Sequence, residues 1–448
     1  MIKKLRVYIQ ADKNFASILH DAGFMYVAGI ISIAFTFAQQ ISTASLLGVE
    51  DYGRFAIILA TTTVLTLILD VRTWELATKL LTKPILNKES AEILQISNWL
   101  KLIDLALGFI GTLLLIGFSE LIAEHLLGDR NLAWLFRLYA LCTIVRMYTA
   151  GVPVALVRMY NRFDWLSYKS IAYAVVRLVF ITGFVYLGWG ITGAIIGAIV
   201  SEILNAIFFI VIECLLWRHY NKTVSFFTLK KPLAFNEILQ LIPGSWLFAT
   251  LKSLQMELFI PITALLTSPA EVGLLRSGLD IANLVTLLSA PLGVVFYPKI
   301  IETFEHQNIQ KVKRVIKQSV FLTGAFVIPL TVFIILAGPL ILPLIFESNA
   351  YSITLIASFI SIGFCMNAIL LWSRPALVAA NLMNIQNKLS MVLLCLVILS
   401  LWILVPLYGA LGTALVIGIF FVIFSVLSSM LFLQKATTTN HYAREVVN

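Results

Sequence analysis

The sequence predicts an all-α integral membrane protein of twelve transmembrane helices, built as two copies of a six-span unit. Three observations carry this expectation. Of the 448 residues, 60% are hydrophobic and 12% charged, with mean hydropathy +0.95, more apolar surface than one soluble core of this size could bury. Apolar runs of about twenty residues recur from end to end, the length that crosses a ~30 Å hydrocarbon layer as a helix. Finally, the second half repeats the first: Leu46 matches Leu265, Leu121 matches Leu340, Lys169 matches Lys388, Gly190 matches Gly409 and Gly193 matches Gly412, at an offset of about 219 residues. Gly53 and Gly273 lie one residue further apart, because the loop TALLTSPAEVG is one residue longer than ASLLGVEDYG.

The expected spans are 24–44, 55–77, 98–118, 132–155, 170–188 and 191–215 in the first half, and 238–264, 274–297, 318–340, 351–373, 389–407 and 409–433 in the second. The halves are expected to divide as 1–225 and 226–448. Strands of a membrane barrel would alternate apolar and polar residues over about ten positions, whereas these runs are continuous Leu, Ile, Val, Phe and Ala. Duplicated hydrophobic halves are a common build for transporters, in which the halves are the moving parts.

The net charge of +9 does not point to nucleic acid, because its distribution has a simpler cause. With both termini placed in the cytoplasm, most of the 32 Lys and Arg fall in cytoplasmic segments, while Arg54 and Arg130 lie in outside loops. That asymmetry is the positive-inside rule. The first span follows a charged stretch of about twenty residues and is longer than a signal-peptide core, so no cleavable leader is expected. Residues 1–20 fit an amphipathic helix on the inner surface, with Lys3, Lys4, Arg6 and Lys13 toward the headgroups. Trp74, Trp99, Trp165, Trp189, Trp217 and Trp372 sit near span ends, as an aromatic belt predicts; Trp246 lies inside span seven and is a candidate for stacking on a sugar. Pro243, Pro261, Pro291 and Pro329 are candidate places for helix bending.

Soluble chemistry is missing from the pattern. There is no GxxxxGK[ST] string and no GxSxG, and the five histidines are scattered outside the spans. Cys142, Cys214, Cys365 and Cys395 all fall within spans, without metal spacing, and read as small packing residues. No metal and no cofactor is expected. A membrane-embedded glycan polymerase or glycosyltransferase, the main enzyme alternative, would need acids or bases on a large loop, and the outside loops are short.

Charges inside spans are expensive, about 2.5–3.5 kcal/mol at mid-bilayer on insertion scales, so they face a polar cavity or a partner. The basic ones are Arg137, Arg146, Arg177, Lys252 and Arg276; the acidic ones are Asp70, Asp104, Glu202, Glu213, Glu257 and Asp280. Arg137, Arg276, Asp104 and Glu213 lie close enough to span ends to reach the interface. Arg146, Arg177, Glu202 and Lys252 lie deeper. Arg276 and Asp280 are four apart on one helix face and are placed to pair.

Several stretches resemble one family in chain order. LLGVEDYGRFAIILA, LVRMYNRFDWLSYKSIAYAVVRL, LGWGITGAIIGAIVSEI with PLYGALGTALVIGIF, and LLTSPAEVGLLRSGLDIANLVTLLSAPLGVVFYPKI are similar to polysaccharide-export proteins of the multidrug/oligosaccharidyl-lipid/polysaccharide superfamily. Twelve spans resemble the Wzx-type flippases, the lipid-linked oligosaccharide or O-antigen flippases, within it. The family carries an Asp in span seven where this chain has Glu257. The resemblance implies two six-helix lobes about a central cavity in the bacterial cytoplasmic (inner) membrane. It also implies translocation of a polyprenyl-diphosphate-linked oligosaccharide for O-antigen, capsule or another exopolysaccharide. Lobes that rock between inward and outward openings would give alternating access, coupled to H⁺ or Na⁺. On that basis Arg146, Arg177 and Lys252 are expected to line the cavity and neutralise the diphosphate, with Arg276 at its outer mouth, since Arg grips phosphate oxygens bidentately. Asp70, Glu257 and Asp280 are the candidates for the coupling ion. A monomer embedded in membrane lipid is expected, with a glycan polymerase and glycosyltransferases as neighbours. The alternatives are a cation-coupled multidrug or metabolite antiporter of the same superfamily and a membrane scaffold for glycan-assembly enzymes.

Overall fold

The computed structural model describes residues 13–87, 89–160, 162–218, 246, 250, 253–254, 257–305, 309–346, 349–380 and 382–439. Among these residues the secondary structure is helical, without strands, as the composition requires of a chain whose backbone polar groups must be satisfied inside lipid. Eight of the described helices are long and apolar enough to cross a membrane. Three of them, Val27–Leu69, Phe163–Leu216 and Asn384–Gln434, are 43, 54 and 51 residues long, about twice what one crossing needs. Each is broken where non-helical glycines fall: Gly48 (φ 74°), Gly188 and Gly190 (φ 86° and 56°), and Gly409 (φ 57°). These breaks separate spans one from two, five from six, and eleven from twelve. Most of span seven lies outside the described residues, as do the expected boundary at 225/226, residues 1–12 of the expected amphipathic segment 1–20, and Pro243.

The paired glycines carry the duplication into backbone geometry. Gly190 has φ 56°, ψ −144° and Gly409 has φ 57°, ψ −135°, a left-handed setting that a side chain resists in both repeats. The bends fall at these glycines, while the expected Pro329 and Pro291 sit within continuous helices Ile309–Ile341 and Pro269–Glu305. Span five adds two π-helical turns, Leu178–Thr182 and Val185–Trp189, which widen the helix just before its Gly turn.

By internal contacts the chain separates into two compact units, one drawn from Met1–Leu46 and Ile58–Glu257, the other from Leu47–Ile57 and Leu258–Asn448. The loop that follows span one therefore belongs with the second unit. Within that unit Gly53 lies so close to Pro269 that a Cβ would fall 1.8 Å from its carbonyl oxygen, and a Cβ on Gly273 would fall 1.9 Å from that of Val49. The two repeat loops pack backbone to backbone, which only small residues permit.

The first unit is built on a core that includes Leu81, Ile93, Leu100, Val152, Leu156 and Trp217; the second has a core of Phe296, Ile300, Trp372, Leu377 and Phe432. Trp217 and Trp372, expected in the aromatic belt, are 5% and 6% exposed and belong to these cores, whereas Trp189 is half-exposed as expected. Large apolar residues such as Phe321, Leu336, Leu340 and Leu407 are exposed, which suits a hydrocarbon surround.

Candidate functional site

The first unit holds a cavity of about 370 Å³ lined by residues of four spans. Span two contributes Thr63, Thr66 and Asp70, and span four contributes Arg146 and Thr149. Lys169 and Tyr173 come from helix Phe163–Arg177, one turn apart on the same face. Glu202, Asn205 and Phe209 come from helix Gly190–Leu216 at i, i+3 and i+7, a single stripe facing inward. That helix reaches its neighbour closely because Gly197 packs on Phe180 and Ile181, where a Cβ would lie 2.6 Å from the Phe180 carbonyl oxygen.

Arg146 donates from Nη1 to Thr63 Oγ1 at 2.9 Å, and its Nε stands 3.7 Å from Glu202 Oε1. The hydroxyl of Tyr173 donates to the same Glu202 oxygen at 2.9 Å. The Lys169 ammonium lies 5.0 Å from the Tyr173 ring centre and 5.1 Å from that of Phe209. Rings of this kind attract a cation without neutralising it. Arg177 also rests against Tyr173, at 5.7 Å, and its buried Nε has no hydrogen-bond partner among the described residues. One amide atom of Asn205, Oδ1, is likewise buried without a partner. At the cavity's edge Asp70 accepts from the backbone N–H of Arg72 at 2.7 Å, where the helix stops and Arg72 turns left-handed (φ 56°).

The expected site residues thus divide. Arg146 and Asp70 line one cavity, and Arg177 borders it through Tyr173. Arg276 and Asp280 belong to the second unit and pair with each other at 3.1 Å, with the Tyr52 hydroxyl donating to Asp280 at 2.6 Å. Glu257 is half-buried, and Lys252 lies outside the described residues. Lys169 and Tyr173 were not among the expected site residues; their signal was the i, i+4, i+8 series Lys169, Tyr173, Arg177. Asp104 and Glu213, expected near the interface, are 1% and 4% exposed. Glu213 is instead held inside the unit by Lys101, by the Tyr148 hydroxyl at 3.0 Å and by Trp217 Nε1 at 3.4 Å. Trp246 donates its Nε1 hydrogen to the Ile68 carbonyl at 2.7 Å, satisfying one of the free acceptors at the end of span two.

Toward the other end of the first unit Glu120 holds both Arg130 and Arg137. Hydrogen bonds from Arg130 first, then Arg137, keep its carboxyl below the usual glutamate range. Among the described residues no group of three or more His, Cys, Asp or Glu is arranged to hold a metal ion, and the four cysteines are free thiols.

Solved structures share this fold. An inward-facing multidrug resistance MATE family transporter of the MOP superfamily superposes with a TM-score of 0.73 at 13% identity, over 95% of this chain and all of its own. The lipid II flippase MurJ in an inward closed conformation gives 0.71 at 16% identity, over 94% of this chain and 89% of its own. A MOP superfamily transporter from Pyrococcus furiosus, described as having a binding pocket of reversed polarity, gives 0.61 at 14% identity, over 93% of this chain and 95% of its own. No curated protein matches the sequence. The polysaccharide biosynthesis protein family matches residues 43–352. A match over that much of the chain, on a fold of paired hydrophobic halves shared with transporters and a flippase, places this chain in the polysaccharide biosynthesis protein family.

Proposed function

We propose that the protein flips a polyprenyl-diphosphate-linked oligosaccharide across the bacterial cytoplasmic membrane for surface polysaccharide assembly. Alternating access of the two lobes would carry the sugar head, with the prenyl tail left in lipid. The observation that supports this most is the first unit's cavity, which both Arg146 and Lys169 line, and in which no carboxylate is within ion-pair distance of Lys169 among the described residues. A diphosphate entering there meets one cation held over aromatic rings and a second whose contact with Glu202 is loose. Displacing a 3.7 Å contact costs little compared with breaking a short bidentate pair. Glu202 and Thr63 then serve to aim the guanidinium. Tyr173, Asn205 and the threonines offer hydroxyl and amide partners of the kind that sugars use.

The same cavity also contains Asp70 and Glu202 beside aromatic rings, a lining that suits an organic cation. This favours the antiporter as the second reading. The two separate in one assay. Single Ala substitutions at Arg146, Lys169 and Arg177 are expected to abolish surface glycan while the protein inserts at normal levels, and to leave resistance to cationic drugs unchanged. Normal glycan in all three variants would remove the flippase reading.

A further inference from the structure

We propose that Asp104 is a proton-binding site, occupied in this conformation, with Thr73 as its hydrogen-bond partner. Asp104 sits in the middle of helix Ser90–Gly117, and both it and Thr73 are 1% exposed. The Thr73 hydroxyl lies 2.8 Å from each carboxyl oxygen. A hydroxyl has one hydrogen, so it makes one well-aligned donation; a second oxygen at the same distance is satisfied when the carboxyl itself carries a proton and donates back. The neutral acid and the alcohol then form a closed reciprocal pair. Gly151 seals it: a Cβ at that position would fall 2.0 Å from Asp104 Oδ2 and 2.6 Å from Thr73 Oγ1.

The charges on the surrounding helices are engaged elsewhere or turned away. Arg72 pairs with Glu75 at 3.3 Å, and Asp70 accepts from the Arg72 backbone. Lys79 and Lys83, on the same helix as Thr73, are exposed. Lys101, one turn before Asp104, and Tyr148 are both held by Glu213. Arg146 is held by Thr63 and Glu202, Arg137 by Ser119 and Glu120, and Arg158 rests on the Trp74 ring at 5.0 Å. Among the described residues no cation pairs with Asp104, so ionisation there would leave a buried negative charge with one donor.

Thr73 opens its helix immediately after the left-handed Arg72, and Asp70, three residues earlier, lines the cavity. Straightening or tilting that break moves the hydroxyl off the carboxyl and admits water from the Asp70 side. The Asp104 O–H bond then breaks, the proton passes to water, and the admitted water hydrates the resulting carboxylate. Two positions of one helix break thus correspond to two protonation states.

Infrared spectra of the full-length protein in liposomes at neutral pH are expected to contain a protonated-carboxyl carbonyl band that is lost in Asp104→Asn. The amide of that variant reproduces the neutral pair, so insertion is expected to survive. Thr73→Val is expected to keep the band and move it to higher frequency, because the carbonyl loses its donor. It carries the test if Asp104→Asn does not insert. A wild-type spectrum without the band, a band unchanged in Asp104→Asn, or a band unmoved in Thr73→Val overturns the proposal. A role in coupling rests on the flippase reading and is measured separately, as loss in Asp104→Asn of the dependence of lipid-linked oligosaccharide flipping on an imposed pH gradient. Gradient dependence retained in that variant overturns the coupling role, whereas wild-type protein that flips no such lipid sinks the flippase reading and leaves the infrared test standing.

Discussion

Spans five and six and their repeats, spans eleven and twelve, share a sequence pattern and a backbone turn but carry different side chains. Shifting by the 219 residues that separate Gly190 from Gly409 puts Val392 opposite Tyr173, Leu396 opposite Arg177, Phe421 opposite Glu202 and Phe424 opposite Asn205. In the first unit these positions place a tyrosine, a glutamate and an asparagine around a cavity, with the arginine bordering it through the tyrosine. In the second, Phe364, Phe420, Phe421 and Phe424 pack ring against ring, with centroids 4.9 to 5.9 Å apart, and Val392 and Leu396 are exposed as lipid-facing residues would be. The Gly turns that begin spans six and twelve remain alike to within about ten degrees in ψ. Backbone geometry was kept in both copies, and polar chemistry was concentrated in one.

Exchanging residues between the copies tests this directly. The largest effect is expected from Glu202→Phe, which installs the second copy's residue in the first. It leaves the Tyr173 hydroxyl and the Arg146 guanidinium without their shared acceptor, at about 1–3 kcal/mol per buried unsatisfied group. It should abolish surface glycan at unchanged membrane insertion; wild-type glycan would mean the cavity is not used. The reverse exchange, Phe421→Glu, places a carboxylate among aromatic rings and should cost about 2.5–3.5 kcal/mol, the scale of a charge at mid-bilayer. A thermal unfolding midpoint equal to wild type would show that the second copy is less apolar in solution than its packing implies.

A smaller contrast lies in the two Gly turns. Replacing either glycine with Ala forces a positive φ at about 1–2 kcal/mol. At Gly409 the new Cβ would also lie 2.3 Å from Glu271 Oε2, the acceptor for the Ala410 N–H at 2.6 Å, whereas nothing lies within 4 Å of a Cβ at Gly190. Gly409→Ala should therefore lower the unfolding midpoint more than Gly190→Ala, and equal shifts would argue that Glu271 moves aside freely.

The smallest effect is expected at Glu120, where the first copy carries a solvent-accessible ion-pair cluster with Arg130 and Arg137. Its carboxyl is depressed in the folded state, chiefly by Arg130, so its contribution is present above the ordinary glutamate range, near pH 4.3, and fades as acid titrates through the lower folded value. Glu120→Gln should flatten the unfolding midpoint against pH below about 4.3 and change little at neutrality, where solvent screening leaves exposed pairs weak. A large loss at neutral pH would contradict that.

Much of the fold was legible because lipid imposes a strong local rule. Span length follows from bilayer thickness. The duplication is legible in paired glycines, of which Gly190 and Gly409 share a left-handed backbone setting. The site was only partly legible. Depth in a span identified Arg146 and Asp70, and sequence spacing identified the Arg276 and Asp280 pair. Lys169 reads as one of the loop charges that set topology, because proximity to a span end does not say whether a long side chain turns inward. Asp104 and Glu213 were assigned to the interface for the same reason, yet both are buried with hydroxyl, amine or indole partners from other helices.

Amino-acid order alone determined that this chain is a bundle of membrane helices with a repeated sequence pattern, since hydropathy and helix length are properties of contiguous residues. Only the tertiary structure decided that Arg146 meets Glu202 and Thr63, that Lys169 lies on two aromatic rings, and that Thr73 closes on Asp104. Those meetings depend on how helices cross and how closely glycines let them approach, and the crossing angle between two helices is not written in the spacing along either one.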